Sequence, residues 1–102
     1  MRNKPVKIPI PRRKLTVFCQ KNHIVKLSFF GSILRDDFRP DSDVDILVEF
    51  KKGHTPGLGF FTMQEELSKL LGREVELHTL NFLSPYFRDQ VQAHAELQYV
   101  GR

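Results

Sequence analysis

With 102 residues, 40% of them apolar, the chain has room for one domain around a single modest core, to which nine phenylalanines and no tryptophan contribute. No stretch is apolar enough to span a membrane, the amino terminus lacks a signal-peptide core, and the lone Cys19 cannot form an internal disulfide, so a reducing, cytoplasmic setting is expected. The net charge of +4 hides an asymmetry, because residues 1–35 carry nine Lys or Arg and no acid, whereas residues 36–102 carry seven bases and twelve acids.

Residues 1–10 hold three bases and alternate Pro5 and Pro9 with apolar side chains, which predicts a flexible basic tail ahead of a single domain over 11–102. Pro11 suits the first turn of a helix running to about Asn22, with Leu15, Phe18 and Cys19 on one face. The apolar run Ile24 to Phe30 predicts the first strand, and a short helix is expected over 32–34 after the Gly31-Ser32 turn. A polar loop with Pro40 leads to a second strand over 43–50. Glycines and a proline in 51–59 predict a mobile loop. Phe60, Met63, Leu67, Leu70 and Leu71 recur at helical spacing, and Gly72 closes that helix as its carboxyl-terminal cap. A third strand follows over 74–79. Ser84 and Pro85 open a last helix to about His94 with Phe87 and Val91 inward, and Leu97 to Val100 adds an edge strand. Helices alternating with strands suit an α/β (α+β) fold, a mixed sheet of about four strands packed against helices.

The chemistry gathers between Gly31 and Asp45. Side chains alternate along a strand, so Asp43 and Asp45 share one face while Val44 and Ile46 turn to the core. Two carboxylates side by side repel unless a cation lies between them, and Mg²⁺ is the expected cation because it takes hard oxygen ligands together with substrate phosphates. Gly31 allows close backbone approach to a ligand, and Ser32 offers a hydroxyl and an N–H to phosphate oxygens. A helix–loop–helix calcium site starting at Asp41 would need Gly and Glu where Ile46 and Lys52 stand, so that reading fails.

Gly31-Ser32, ten residues, then Asp43-x-Asp45 resembles the signature of the polymerase-beta-like nucleotidyltransferase superfamily, and Arg35 and Ser42 fit its smallest members, the minimal nucleotidyltransferases (MNT). The family's third carboxylate, in a context such as Gly-Arg-x-Val-Asp-Leu, is matched by Gly72 to Leu77 with Glu76 where Asp is usual. The resemblance covers roughly residues 12–100. It implies that Asp43, Asp45 and Glu76 are catalytic and hold two Mg²⁺ ions, with Glu74 as the fallback third ligand. It also implies that Gly31 and Ser32 hold the β- and γ-phosphates of a nucleoside triphosphate, and that Ser42 adds a phosphate contact. Arg35 either neutralises the triphosphate or braces the loop through Asp36 or Asp41. The activity implied is transfer of AMP from ATP onto a hydroxyl. Small members of the family commonly act as antitoxins that adenylylate a tyrosine of a HEPN ribonuclease toxin.

Two other readings compete. The protein is an antitoxin weakened by Glu76 that neutralises its partner by binding alone, or a nucleic-acid-binding regulator working through its basic first third. A solvated basic helix with a loose tail accounts for the same charges and is favoured over a nucleic-acid surface. The four histidines share no metal-ligand spacing, and His78 alone borders the site, two residues after Glu76. Cys19 and the stripe Phe60, Phe61, Met63 read as core.

Overall fold

The computed structural model describes residues 9–31, 43–54, 56–79 and 85–101. Along the chain these form α1 (Arg12–Lys21), β1 (Ile24–Phe30), β2 (Val44–Phe50), α2 (Gly59–Leu71), β3 (Val75–His78), α3 (Pro85–His94) and β4 (Glu96–Val100). The strands make one mixed sheet in the order β3-β2-β1-β4, with β1 antiparallel to both neighbours and β3 parallel to β2. The expected α+β architecture with four strands is therefore what the chain adopts.

Helix α1 has Pro11 as its N-cap residue, one position outside the helix rather than in its first turn. It places Leu15, Phe18 and Cys19 at 0–2% exposure. Helix α2 ends at Gly72, the predicted cap, whose φ of 70° turns the chain left-handed after the last turn. Both helices cover the same sheet face. Their buried side chains, including Met63, Leu67 and Leu71, join Ile24, Leu27, Phe29, Val44, Ile46, Val48, Val75 and Leu77 in one core. Ile10 packs against that core as well, so the chain is already anchored ahead of Pro11. The opposite face is more thinly covered, by a small cluster of Phe30, Leu47 and Val91, to which α3 contributes Val91. The division by faces matters for function, because Asp45 and Glu76 belong to this second face.

Strand β1 breaks simple alternation. Ile24 and Leu27 are three residues apart yet both enter the larger core, because the pairing with β2 shifts between Ile24 and Lys26. A bulge of this kind lets the extra residue drop out of register and restores the alternation beyond it. Another expectation fails in α2: Met63 is buried and Phe60 packs against the core, but Phe61 is 67% exposed and lies outside it. Three cations of the basic first third are engaged within the chain. Lys21 pairs with Glu66, Lys26 with Glu49 at 3.9 Å, and Arg12 donates to the Gln98 carbonyl and side-chain oxygens. Among the described residues no helix is long and apolar enough to cross a membrane.

Candidate active site

Parallel pairing sets Val44 against Val75, Asp45 against Glu76, Ile46 against Leu77 and Leu47 against His78. The apolar partners, Val44, Ile46, Val75 and Leu77, are all buried in the larger core. Period-two alternation then sends Asp45, Glu76 and His78 to the other face together. One ligand atom of each of these three lies within 4.8 Å of the others. His78 Nε2 stands 3.3 Å from Asp45 Oδ1 and 3.6 Å from Glu76 Oε1. The Asp45 and His78 side chains are about a quarter exposed and Glu76 is half exposed, which leaves the cluster open to solvent on one side.

Gly31 closes the other side. It follows Phe30, the antiparallel partner of Asp45, and its φ of 81° lies in the left-handed region. A Cβ placed on Gly31 would come within 2.5 Å of Asp45 Oδ2, so a glycine is what lets the carboxylate lie against the backbone there. The glycine of the sequence motif and the second Asp of the Asp-x-Asp pair therefore meet, although fourteen positions separate them.

Asp43 is exposed, one residue before β2, and stands outside the three-residue cluster. Glu74 is exposed too and is not in it; its backbone carbonyl accepts from Val44 N–H at 2.9 Å and opens the ladder between the two strands. Ser32, Arg35 and Ser42, the expected phosphate contacts, lie outside the described residues, as do the short helix over 32–34 and the loop over 36–42. Cys19 is fully buried, and desolvation pushes its thiol up to about 12, which suits a core residue and not a nucleophile.

Sequence reasoning had no means of finding Gln64 and Ser68. Strand β3 is an edge of the sheet. The side-chain oxygens of these two residues accept from Leu77 N–H at 2.9 Å and Val75 N–H at 3.0 Å. They are spaced i, i+4 on α2, so one face of that helix satisfies the outer edge of the strand that carries Glu76.

The sequence profile of the nucleotidyltransferase domain family matches residues 12–97. The chain belongs to this family. Within it, the "Putative protein adenylyltransferase MJ0435" of Methanocaldococcus jannaschii is 35% identical over 80 residues, covering 78% of this chain and 85% of that one. Protein adenylyltransferase MntA of Thermococcus cleftensis is 43% identical over 53 residues, about half of each chain. Among solved structures, a "putative minimal nucleotidyltransferase" superposes with a TM-score of 0.69 at 34% identity, covering 82% of this chain and 85% of its own. These relatives place the chain among the minimal nucleotidyltransferases. A toxin–antitoxin complex with AMP-PNP shares the fold, with a TM-score of 0.73 at 19% identity over 91% of this chain and 76% of that one.

A nucleotidyltransferase of this family uses a nucleoside triphosphate with divalent metal, and the donor set fits such an ion. Two carboxylates from adjacent strands converge with one imidazole, and the backbone beside Asp45 has no side chain to fill the approach. Carboxylate oxygens are the ligands that hard divalent cations take.

Proposed function

We propose that this nucleotidyltransferase transfers AMP from ATP onto a tyrosine hydroxyl of a HEPN-type toxin and thereby silences it as the antitoxin of the pair. The observation that carries the reading is the convergence of Asp45 and Glu76 at adjacent register positions with Gly31 against Asp45. The protein adenylyltransferase names of relatives above 30% identity support the reaction class. The partner class is supported by fold relatives solved as MntA–HepT and as an AMPylated HEPN toxin bound to an MNT antitoxin.

In this reading the hydroxyl oxygen attacks the α-phosphorus of ATP, the bond to the β-phosphate oxygen breaks, pyrophosphate leaves and the hydroxyl proton is released. Asp43, Asp45 and Glu76 would hold two Mg²⁺ ions. Bound there, divalent ions stabilise the charge on the attacking and leaving oxygens. Gly31 keeps the Asp45 carboxylate in place and leaves room for the β- and γ-phosphates, to which Ser32 and Ser42 donate. Arg35 neutralises the triphosphate. The cluster is open on one side, so the acceptor hydroxyl arrives on the partner and is aligned by docking of the two proteins.

The test is to combine the chain with the product of the neighbouring gene, ATP and Mg²⁺, and to measure the intact mass of that protein. Addition of one or more adenylyl groups is expected. Unchanged mass under conditions where the two proteins bind would reject the reaction. A binding-only antitoxin is favoured by one observation, that Glu76 stands where the family's motif has Asp. The variant Asp43→Asn with Asp45→Asn separates the two: a transferase loses protection of cells against the toxin, and a pure binder retains it.

A further inference from the structure

The cluster contains one donor that is not an oxygen. His78 follows Glu76 by two residues on β3, and its Nε2 is turned to both carboxylates, at 3.3 Å from Asp45 and 3.6 Å from Glu76. The ring lies edge-on to Phe30, with centroids 5.1 Å apart at 68°. An apolar wall thus holds one side of the imidazole while its nitrogen faces the acids. The other described histidines lie elsewhere. His23 and His54 stack on each other with centroids 4.1 Å apart, and His94 ends α3 in an exposed position.

We infer that His78 is a nitrogen donor of the metal site, and that it tunes the site towards Mn²⁺ over Mg²⁺. The inference rests on the metal–nucleotide reading above and adds a ligand to it. Two donors at right angles around an ion held at ~2.1 Å stand about 3 Å apart, and the nitrogen-to-oxygen separations here are close to that. Mg²⁺ demands near-ideal octahedral oxygen coordination and keeps several waters, so an imidazole adds little to its binding. Transition ions accept imidazole nitrogen, and Mn²⁺ combines that with a preference for carboxylate oxygen. The half-exposed Glu76, one methylene longer than Asp, gives the oxygen side of the site the reach to adjust to the larger ion.

The test uses the full chain without nucleotide. Mn²⁺ affinity is read from loss of the free-ion EPR signal, and Mg²⁺ affinity from its competition with Mn²⁺. His78→Leu is expected to weaken Mn²⁺ binding at least tenfold and to change Mg²⁺ binding less than twofold. Pulsed EPR of the wild-type Mn²⁺ complex is expected to show the nitrogen coupling of a directly bound imidazole, a measurement that does not depend on the variant folding. Unchanged Mn²⁺ affinity, an equal loss for both ions, or absence of that coupling would overturn the assignment, and an equal loss would make His78 a residue that only orients Asp45. Asp45→Asn separates this from the parent reading. If it abolishes binding of both ions while His78→Leu leaves Mn²⁺ untouched, only the role of His78 falls; if it alters neither, the metal site itself is wrong.

Discussion

Replacing Gly31 by Ala tests whether the backbone beside Asp45 is part of the site. Two separate costs arise. At φ 81° an alanine Cβ crowds its own backbone, which costs roughly 1–2 kcal/mol. In addition, the new Cβ would stand 2.5 Å from Asp45 Oδ2, whereas ordinary contact begins at 3.4 Å, so the carboxylate must retreat by nearly an ångström. A displacement of that size at a reacting centre can cost about 100-fold in rate. Gly53→Ala supplies the control, since its φ is 82° but nothing lies within 4 Å of the added Cβ. Both variants should lose about 1–2 kcal/mol of stability, which for a domain of this size lowers the melting temperature by roughly 4–16 °C. Only Gly31→Ala should also lose adenylyl transfer, by about two orders of magnitude, measured as the initial rate of mass addition to the HEPN-type partner below the melting transition of both. Equal activities for the two variants, whether both retained or both lost, would refute the argument that contact with Asp45 is what makes Gly31 necessary.

Asp45→Asn should abolish transfer by two orders of magnitude or more while changing stability by less than about 1 kcal/mol, because the His78 contact it weakens is a quarter exposed; circular-dichroism melts beside the mass assay check both halves. Cys19 should resist a thiol reagent at pH 8 in the native chain and react fully once unfolded, since its thiol is buried with a pKa pushed to about 12. The same shift has a consequence for stability. The folded thiol holds its proton above the ordinary 9.0, so its contribution is intact below pH 9 and is lost progressively as pH rises towards 12. Denaturant midpoints of the wild type should therefore fall relative to Cys19→Ala across that interval, and parallel curves would contradict it. Gln64→Ala with Ser68→Ala removes both side-chain acceptors from the edge of β3 and should cost about 1–3 kcal/mol, with faster hydrogen exchange at the Val75 and Leu77 amides than anywhere in β1.

Much of this fold was legible because local patterns and tertiary placement agree. Val44 and Ile46 alternate with Asp45, and burial follows that alternation. Gly72 ends α2 as its sequence position suggests. Where the reading failed, a longer-range effect decided. A bulge near Val25 puts Ile24 and Leu27 in one core, and period two cannot anticipate it. The apolar stripe Phe60, Phe61, Met63 reads as core, yet α2 meets the sheet through Met63 and Leu67, and Phe61, which is not in the set at helical spacing, faces outward. Asp43 and Asp45 share a face in an ideal strand. The ladder pairs begin only at Val44 opposite Val75, however, so Asp43 precedes the paired stretch that brings Asp45, Glu76 and His78 together. That Glu76 falls beside Asp45 depends on pairing between segments some thirty residues apart, which composition and periodicity do not encode.

What fixes that pairing is therefore the physical root of the site. A slip of one residue between β2 and β3 would turn Glu76 into the core and expose Val75 or Leu77, so burial alone forbids it. A slip of two residues keeps every apolar side chain inward and would set Asp45 opposite Glu74 or His78 instead. The hydrophobic pattern does not exclude that alternative. The discrimination comes from the short connection that ties β3 to α2. Val44 N–H donates to the Glu74 carbonyl on the inner edge of β3, and Gln64 and Ser68 accept from Leu77 and Val75 on its outer edge. Edge amides recur every two residues, so after such a slip each bond could be remade with the next amide. Only residues 72–74 join α2 to β3, however, and Arg73 N–H donates to the Ser68 carbonyl at 3.1 Å. A shift of about 7 Å would have to be absorbed there while Met63, Leu67 and Leu71 hold the helix in the core. Helix α2 contributes no residue to the acidic cluster, yet it sets where Glu76 stands relative to Asp45.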